Sequence, residues 1–325
     1  MTSRQVLYVE ALREAIAEEM RRDGRVFVLG EDVRFAYTFA VTKGLVNEFG
    51  EERVRDTPIS ENGIVGVALG AALAGMRPIA EIQFEDLILL AMDQLVNQAA
   101  KMRYMSGGQA RVPMVVRTPG GFWGSFGPHH SQNLEAIFMH TPGLKVAVPS
   151  TAYDAKGLLK TAVRGEDPVL FLEHKRLYQI AGEVPDEEYV IPFGSASVRR
   201  EGNDVTIVAT QLMVHRALEA VEKLATKGIQ AEIIDPRTIV PLDKKTILSS
   251  VEKTGRLVIV EEGCQTGGIG AEIAAIVAEE RLGFLDAPIR RIGVPDTPIP
   301  FSPPLEERVI PDTNRIVKTV TELFH

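Results

Sequence analysis

Short apolar runs alternating with helical patterns, broken once and then resumed, constrain this chain more than any other feature. A helical stretch over 6–22 carries apolar spacing through Leu12, Ala15, Ile16 and Met20, interrupted at Glu19. Arg25-Val-Phe-Val-Leu-Gly30 then reads as a buried strand stopped by Gly30 and the acidic pair Glu31-Asp32. The pattern continues as helix 42–49, strand 53–56, helix 62–75, strand 78–83 and helix 86–104, with strands near 112–117, 145–148 and 168–172. Apolar strands separated by helices predict a mostly parallel sheet covered on both faces. The rhythm lapses over 178–201, where Gly182-Glu-Val-Pro-Asp-Glu-Glu188 and Arg199-Arg200 mark a crossing. It resumes with strand Val205-Thr-Ile-Val-Ala209, helix 211–227, strand 230–234 and a central strand Arg256-Leu-Val-Ile-Val260. The expected fold class is therefore α/β, with domains over 1–185 and 200–325 joined by a linker over 186–199. Pro295, Pro298, Pro300, Pro303 and Pro304 favour an extended, packed tail over a long helix.

Composition narrows the function classes. The 325 residues suffice for two cores, and 45% hydrophobic with 25% charged residues is the profile of a soluble globular protein. A net charge of −8 argues against a nucleic-acid backbone as the main partner. The most apolar stretch, Gly63 to Met76, is too short to span a bilayer. One cysteine, Cys264, leaves no intrachain disulfide and fits a reducing compartment. With no signal-peptide core in the charged N-terminus, the expected location is cytoplasmic.

Two segments carry candidate chemistry. Asp56-Thr-Pro-Ile-Ser-Glu61 places a carboxylate between a strand end and a helix rich in small residues, with Gly63, Gly66, Gly70 and Gly75 among several alanines. Small side chains admit close approach of another helix or a ligand despite glycine's cost in a helix. Glu61 can cap that helix or face a cofactor. Gly127-Pro-His-His-Ser-Gln132 sets His129 and His130 in a glycine-rich loop with Phe122, Trp123 and Phe126, a segment expensive to order unless it touches something. Adjacent histidines point apart and have no nearby set to complete a zinc site. Gly263-Cys-Gln-Thr-Gly-Gly-Ile-Gly270 follows a strand and precedes a helix, but Glu261-Glu262 would repel a phosphate, and a close-packed turn is the simpler reading. The dinucleotide, Walker, serine-elbow and HExxH motifs are absent.

At Asp56-Thr-Pro-Ile-Ser-Glu61, Glu81-Ile-Gln-Phe84, Lys101-Met-Arg-Tyr-Met-Ser-Gly-Gly108, His130-Ser-Gln132, Asp235-Pro-Arg-Thr238 and Glu262-Gly-Cys-Gln-Thr-Gly-Gly268, the chain resembles the beta subunit of thiamine-diphosphate-dependent 2-oxo acid dehydrogenases. That group acts on pyruvate, branched-chain 2-oxo acids or acetoin. The resemblance implies two transketolase-like α/β domains, the first binding the cofactor's pyrimidine. It implies an α2β2 heterotetramer in which the alpha subunit holds most of the diphosphate and its Mg2+. The chain has no Gly-Asp-Gly, the alpha subunit's diphosphate motif. By the same resemblance Glu61 hydrogen-bonds the aminopyrimidine, Gln83 and Leu87 line its pocket, and His130 assists acyl transfer to the lipoyl group of an acyltransferase partner. Position 87 is aromatic in some relatives, so Leu87 offers less ring contact. Ala162, Gly165 and Asp167 match a segment that holds potassium in some of them. A pyruvate or branched-chain 2-oxo acid is the expected substrate. An acetoin dehydrogenase, a transketolase-like or deoxyxylulose-phosphate synthase fragment, and a non-catalytic scaffold are the alternatives.

Overall fold

Residues 2–324 are described by the computed structural model, and they form two units. The first takes the chain to Gly120 and again from Ile137 to Phe193; the second takes Gly121–Ala136 and resumes at Gly194. The segment carrying the histidine pair thus belongs to the second unit, although the sequence rhythm divides the chain only once.

The first unit opens with β1 (Ser3–Leu7) and α1 (Tyr8–Arg22). The helix expected from residue 6 starts two residues later because Val6 is a strand residue, buried in one apolar cluster with Val184. Glu19, the interruption in the apolar spacing of α1, is fully buried there and is paired with Arg22 and Arg164, each at 2.6 Å. Next come β2 (Val26–Gly30), α2 (Leu45–Phe49), β3 (Val54–Asp56), α3 (Glu61–Leu73) and β4 (Arg77–Glu81). Helix α2 is shorter than expected because Gly44, at φ 83°, holds the chain in a left-handed turn just before it. The expected helix 86–104 is instead a 3-10 segment Glu85–Ala91, a π segment Asp93–Ala99 and α4 (Ala100–Met105). Strand β5 (Val115–Gly120) begins later than expected, after Pro113, which has no N–H to give a ladder. The rest of the unit comprises α5 (Glu135–Met139, begun in the second unit), β6 (Lys145–Ala147), α6 (Ala152–Arg164), β7 (Val169–His174) and β8 (Ala181–Pro185).

Strands of this unit lie in the order β6-β7-β5-β4-β2-β3, all neighbours parallel. β1 and β8 form a separate antiparallel pair. Val28 faces both Val54 and Ile79, which fixes β2 between β3 and β4. The interior also holds charge. Arg117 on β5 reaches Glu173 on β7 through two hydrogen bonds, at 2.7 and 2.6 Å, and contacts Glu81 on β4. The Tyr178 hydroxyl donates to the same Glu173 at 2.6 Å.

The second unit contains β9 (Ser197–Arg200), β10 (Val205–Ala209), α7 (Leu212–Ala225), β11 (Ala231–Asp235), β12 (Thr238–Val240), α8 (Lys244–Thr254), β13 (Leu257–Cys264), α9 (Ile269–Arg281), β14 (Arg290–Val294), α10 (Pro303–Val309) and α11 (Thr313–Thr321). Its sheet runs β14-β13-β10-β11-β9, parallel except for β9. Both sheets are mainly parallel and flanked by helices, the α/β class expected. Among the described residues the tail has no long helix. Pro303 and Pro304 sit in the first turn of the short α10, where a missing N–H costs nothing. No helix among the described residues is long and apolar enough to cross a membrane.

Candidate active site

Three strand ends at one edge of the first unit's sheet supply the acidic candidate. Residues leaving β2, β3 and β4 at their C-terminal ends are Glu31, the run to Glu61, and Gln83, the position where open parallel sheets place ligands. Ser60, not Glu61, caps α3: its hydroxyl accepts from the Gly63 N–H at 3.3 Å. Glu61 is therefore released from the capping role and becomes the first helical residue. Its side chain is only 7% exposed, and no hydrogen bond reaches its carboxylate among the described residues. Glu31 lies close enough for the two charges to interact. Burial pushes the Glu31 carboxyl above its ordinary value, and the charges of Asp32 and Glu61 push it further.

Gln83 is held from both ends. The Thr38 hydroxyl donates to its side-chain oxygen at 2.7 Å, and its own NH2 donates to the Glu31 carbonyl at 3.2 Å. Leu87 is half-buried in the 3-10 segment, its N–H donating to the Phe84 carbonyl at 3.0 Å. Glu61, Glu31 and Gln83 thus share one edge of the sheet. In the sequence Glu31 marks only a strand stop, although an acid directly after a parallel strand was the available signal.

His130 stands in the second unit, in the loop between β5 and α5. Its N–H donates to the Gly127 carbonyl at 3.3 Å and its side chain is half-buried, whereas His129 is exposed. The Gly121 N–H closes the loop base onto the Gln132 carbonyl at 3.2 Å. Phe122 is fully buried beneath the Arg216 guanidinium, 5.2 Å from its ring centre. Trp123 and Phe126 stack on each other at 5.7 Å. A cavity of about 610 Å3 is lined by His129, Ser131, Gln132, Glu262, Cys264 and Asp296 among others.

Behind this loop lie buried acids. Glu261 accepts from the Gly270 N–H at 3.0 Å, so the N-terminus of α9 already holds a carboxylate of its own chain. A Cβ on Gly268 or Gly270 would meet Glu261 oxygens at 2.4 or 2.6 Å, which explains the glycines as close packing around that carboxylate. Burial raises the Glu261 carboxyl to about 8, with Glu135 adding to the rise. Burial likewise raises Glu135 to about 7. The Cys264 thiol is pushed up by burial and then by Asp296 and Glu261, the direction of an unreactive thiol.

Ala162, Gly165 and Asp167 lie at the end of α6 in the first unit. The Gly165 N–H donates to the Ala162 carbonyl at 3.2 Å, and the Gly165 carbonyl accepts from the Arg77 guanidinium at 2.7 Å. Asp167 is paired with Lys145 at 2.9 Å and with Arg103. Burial pushes the Asp167 carboxyl up, but hydrogen bonds from those two cations carry it below its ordinary value.

Residues 4–180 match the transketolase pyrimidine-binding domain family, and residues 194–316 match the transketolase C-terminal domain family. The 2-oxoisovalerate dehydrogenase subunit beta of Bacillus subtilis is 51% identical over 97% of this chain and 98% of its own length. The acetoin:2,6-dichlorophenolindophenol oxidoreductase subunit beta of the same organism is 48% identical over 97% and 96%. The pyruvate dehydrogenase E1 component subunit beta of Rickettsia felis is 48% identical over 99% of both chains. Among solved structures, a split gene transketolase described as an inactive beta4 tetramer matches with a TM-score of 0.80 and 25% identity, over 98% of each chain.

Proposed function

The chain belongs to the beta-subunit family of thiamine-diphosphate-dependent 2-oxo acid dehydrogenases, and on that premise we propose that it works with an alpha subunit, as an α2β2 heterotetramer, in oxidative decarboxylation of a 2-oxo acid. The acyl group passes to the lipoyl arm of an acyltransferase partner. The observation that carries the reading is Glu61, a buried carboxylate without a donor among the described residues, beside Glu31 and the anchored Gln83. A buried acceptor of this kind is costly unless something donates to it, and a protonated ring nitrogen of the aminopyrimidine fits. The bound cofactor supplies a nucleophilic carbon for the 2-carbonyl and an electron sink for loss of carbon dioxide.

In this reading Glu61 holds the proton shared with the pyrimidine ring, Gln83 fixes the neighbouring edge, and Leu87 offers an apolar wall. The diphosphate and Mg2+ rest mainly on the alpha subunit. His130 serves the later step, acyl transfer to lipoyl. Along the sequence the pyrimidine-binding domain spans 1–185, the linker 186–199 and the C-terminal domain 200–325, with Gly121–Ala136 grouped in the second compact unit. A cytoplasmic location accords with the exposed free thiol of Cys264. Potassium at Ala162, Gly165 and Asp167 would share oxygens with Arg77, Arg103 and Lys145; equal melting midpoints in potassium and sodium chloride would remove it from the reading.

The substrate is pyruvate or a branched-chain 2-oxo acid. Acetoin is the second reading, since identities of 51%, 48% and 48% to the three kinds of relative do not separate them. Reconstitution with the cognate alpha subunit and dye-coupled turnover on pyruvate, 2-oxoisovalerate and acetoin tests this directly. A 2-oxo acid is expected to have the highest specificity constant. Acetoin leading by about ten-fold, a margin of about 1.4 kcal/mol, would replace the 2-oxo acid. No turnover on any of the three would favour a scaffold.

A further inference from the structure

The His130 loop is tied to its own unit by two buried carboxylates. Glu262, at the end of β13, accepts from the Phe122 N–H at 2.8 Å. Glu306, on α10, accepts from the Ser125 N–H at 3.3 and 3.4 Å, one distance to each oxygen. Both side chains are buried, Glu262 at 6% and Glu306 at 2% exposure. A hydrogen bond is electrostatically stronger where water is excluded than in water.

The backbone they hold is strained. Ser125 has φ 69°, a left-handed conformation at a residue that is not glycine, and it stands between Gly124 and Gly127 at φ 69° and 74°. Such a residue is strained and persists where its surroundings hold it, commonly at functional sites. The Ser125 N–H itself faces the Glu306 carboxylate. Gly127, three residues before His130, packs on Phe301, where an added Cβ would lie 3.6 Å from the ring. The proline-rich tail thus delivers both Phe301 and Glu306 to the loop.

We propose that Glu262 and Glu306 are positioning residues for His130, clamping the loop backbone at two points from the C-terminal unit so that the imidazole keeps its place during acyl transfer. This rests on the role proposed for His130 above. Neither carboxylate is assigned contact with substrate or cofactor.

The test uses the reconstituted complex with thiamine diphosphate bound and the variants Glu306→Ala, Glu306→Gln, Glu262→Ala, Glu262→Gln and His130→Ala. Amide exchange over 121–136 is expected to rise about ten-fold in the alanine variants as local opening becomes easier. Acyl transfer to a lipoyl acceptor should fall about ten-fold, since a misplaced group acts poorly even when present. Dye-coupled decarboxylation and the half-saturating thiamine diphosphate concentration should stay within about two-fold, because the first half-reaction does not need the loop. Glutamine retains an acceptor oxygen and should restore most of both losses. Unchanged exchange in both alanine variants overturns the clamp. Faster exchange with normal acyl transfer, while His130→Ala abolishes transfer, overturns the positioning role. If His130→Ala also leaves transfer intact, it is the role of His130 that fails. Parallel loss of both half-reactions without rescue by glutamine would make the two carboxylates merely structural and end the proposal.

Discussion

At the scale of single residues, Glu61 and the acids behind the His130 loop make different demands. Glu61→Gln keeps the size of the side chain and the Ser60 cap but exchanges a proton-sharing carboxylate for an amide. Turnover of the assembled enzyme is expected to fall at least about 100-fold, the scale of a lost acid–base partner, with assembly unchanged by native mass measurement. Near-normal decarboxylation would defeat the assignment. Glu135 and Glu261 bear instead on how stability changes with pH. Both have ordinary values of 4.5 and are raised by burial, to about 7 and about 8. Between those limits the folded chain keeps protons that the unfolded chain has released. Their contribution is therefore present at low pH and is lost as pH rises through about 7 to 8, at most about 1.4 kcal/mol per pH unit for each group. Glu262 charge adds to the rise at Glu135, and Arg291 opposes it at Glu261. Melting midpoints should fall from about pH 5.5 to about pH 8.5, and Glu261→Gln should flatten that fall; an unaltered slope in the variant would contradict it. Glu61 was legible from its place after a strand and before a small-residue helix. Glu31 had the same kind of signal, an acid directly after a strand, but Glu262 and Glu306 did not, because their significance lies in partners distant along the chain.

At the scale of elements, the strands were legible where they are buried on both faces and less so elsewhere. The run Val26–Gly30 is apolar throughout, and a continuous apolar run of that length between helices has few alternatives. The edge strands β1, β8 and β9 mix charged and apolar residues and owe their existence to a partner strand, so the sequence alone did not mark them. Residues 85–105 kept a helical pattern, but the pattern does not distinguish α from the 3-10 and π geometry found there. The charged spine across β4, β5 and β7 is another feature that only pairing could show. Arg117 is 1% exposed, and its two hydrogen bonds to Glu173 tie adjacent strands beneath the edge that presents Gln83. Arg117→Met would leave Glu173 buried without its cation and is expected to lower unfolding free energy by about 3–5 kcal/mol. The double variant with Glu173→Gln should regain part of that loss. A single variant within about 0.5 kcal/mol of the parent, on urea titration, would show the spine contributes little.

At the scale of the whole molecule, α3 carries a feature that its own chain does not explain. The helix buries Ile64, Val65, Ala68 and Leu69 on one side, yet exposes Val67 at 61% and Leu73 at 43% on the other, with Gly70 between them. A Cβ on Gly70 would meet nothing within 4 Å. Glycine there costs about 1 kcal/mol of helix stability relative to alanine without relieving any contact inside this chain. We expect a second chain, the proposed alpha subunit or another copy of this chain, to press against the helix backbone there, as small residues allow wherever helices approach closely. The two substitutions at this position should therefore diverge. Gly70→Ala is expected to raise the stability of the separate chain by up to about 1 kcal/mol and to weaken assembly only mildly. Gly70→Leu should leave the separate chain folded, since its side chain projects into open space, but should separate the complex into subunits on native mass measurement. Turnover should be lost with the assembly and return in proportion to whatever complex survives at high subunit concentration. A Gly70→Leu complex that stays intact and active at nanomolar concentration would mean that α3 faces solvent, and the exposed Val67 and Leu73 would then need another occupant.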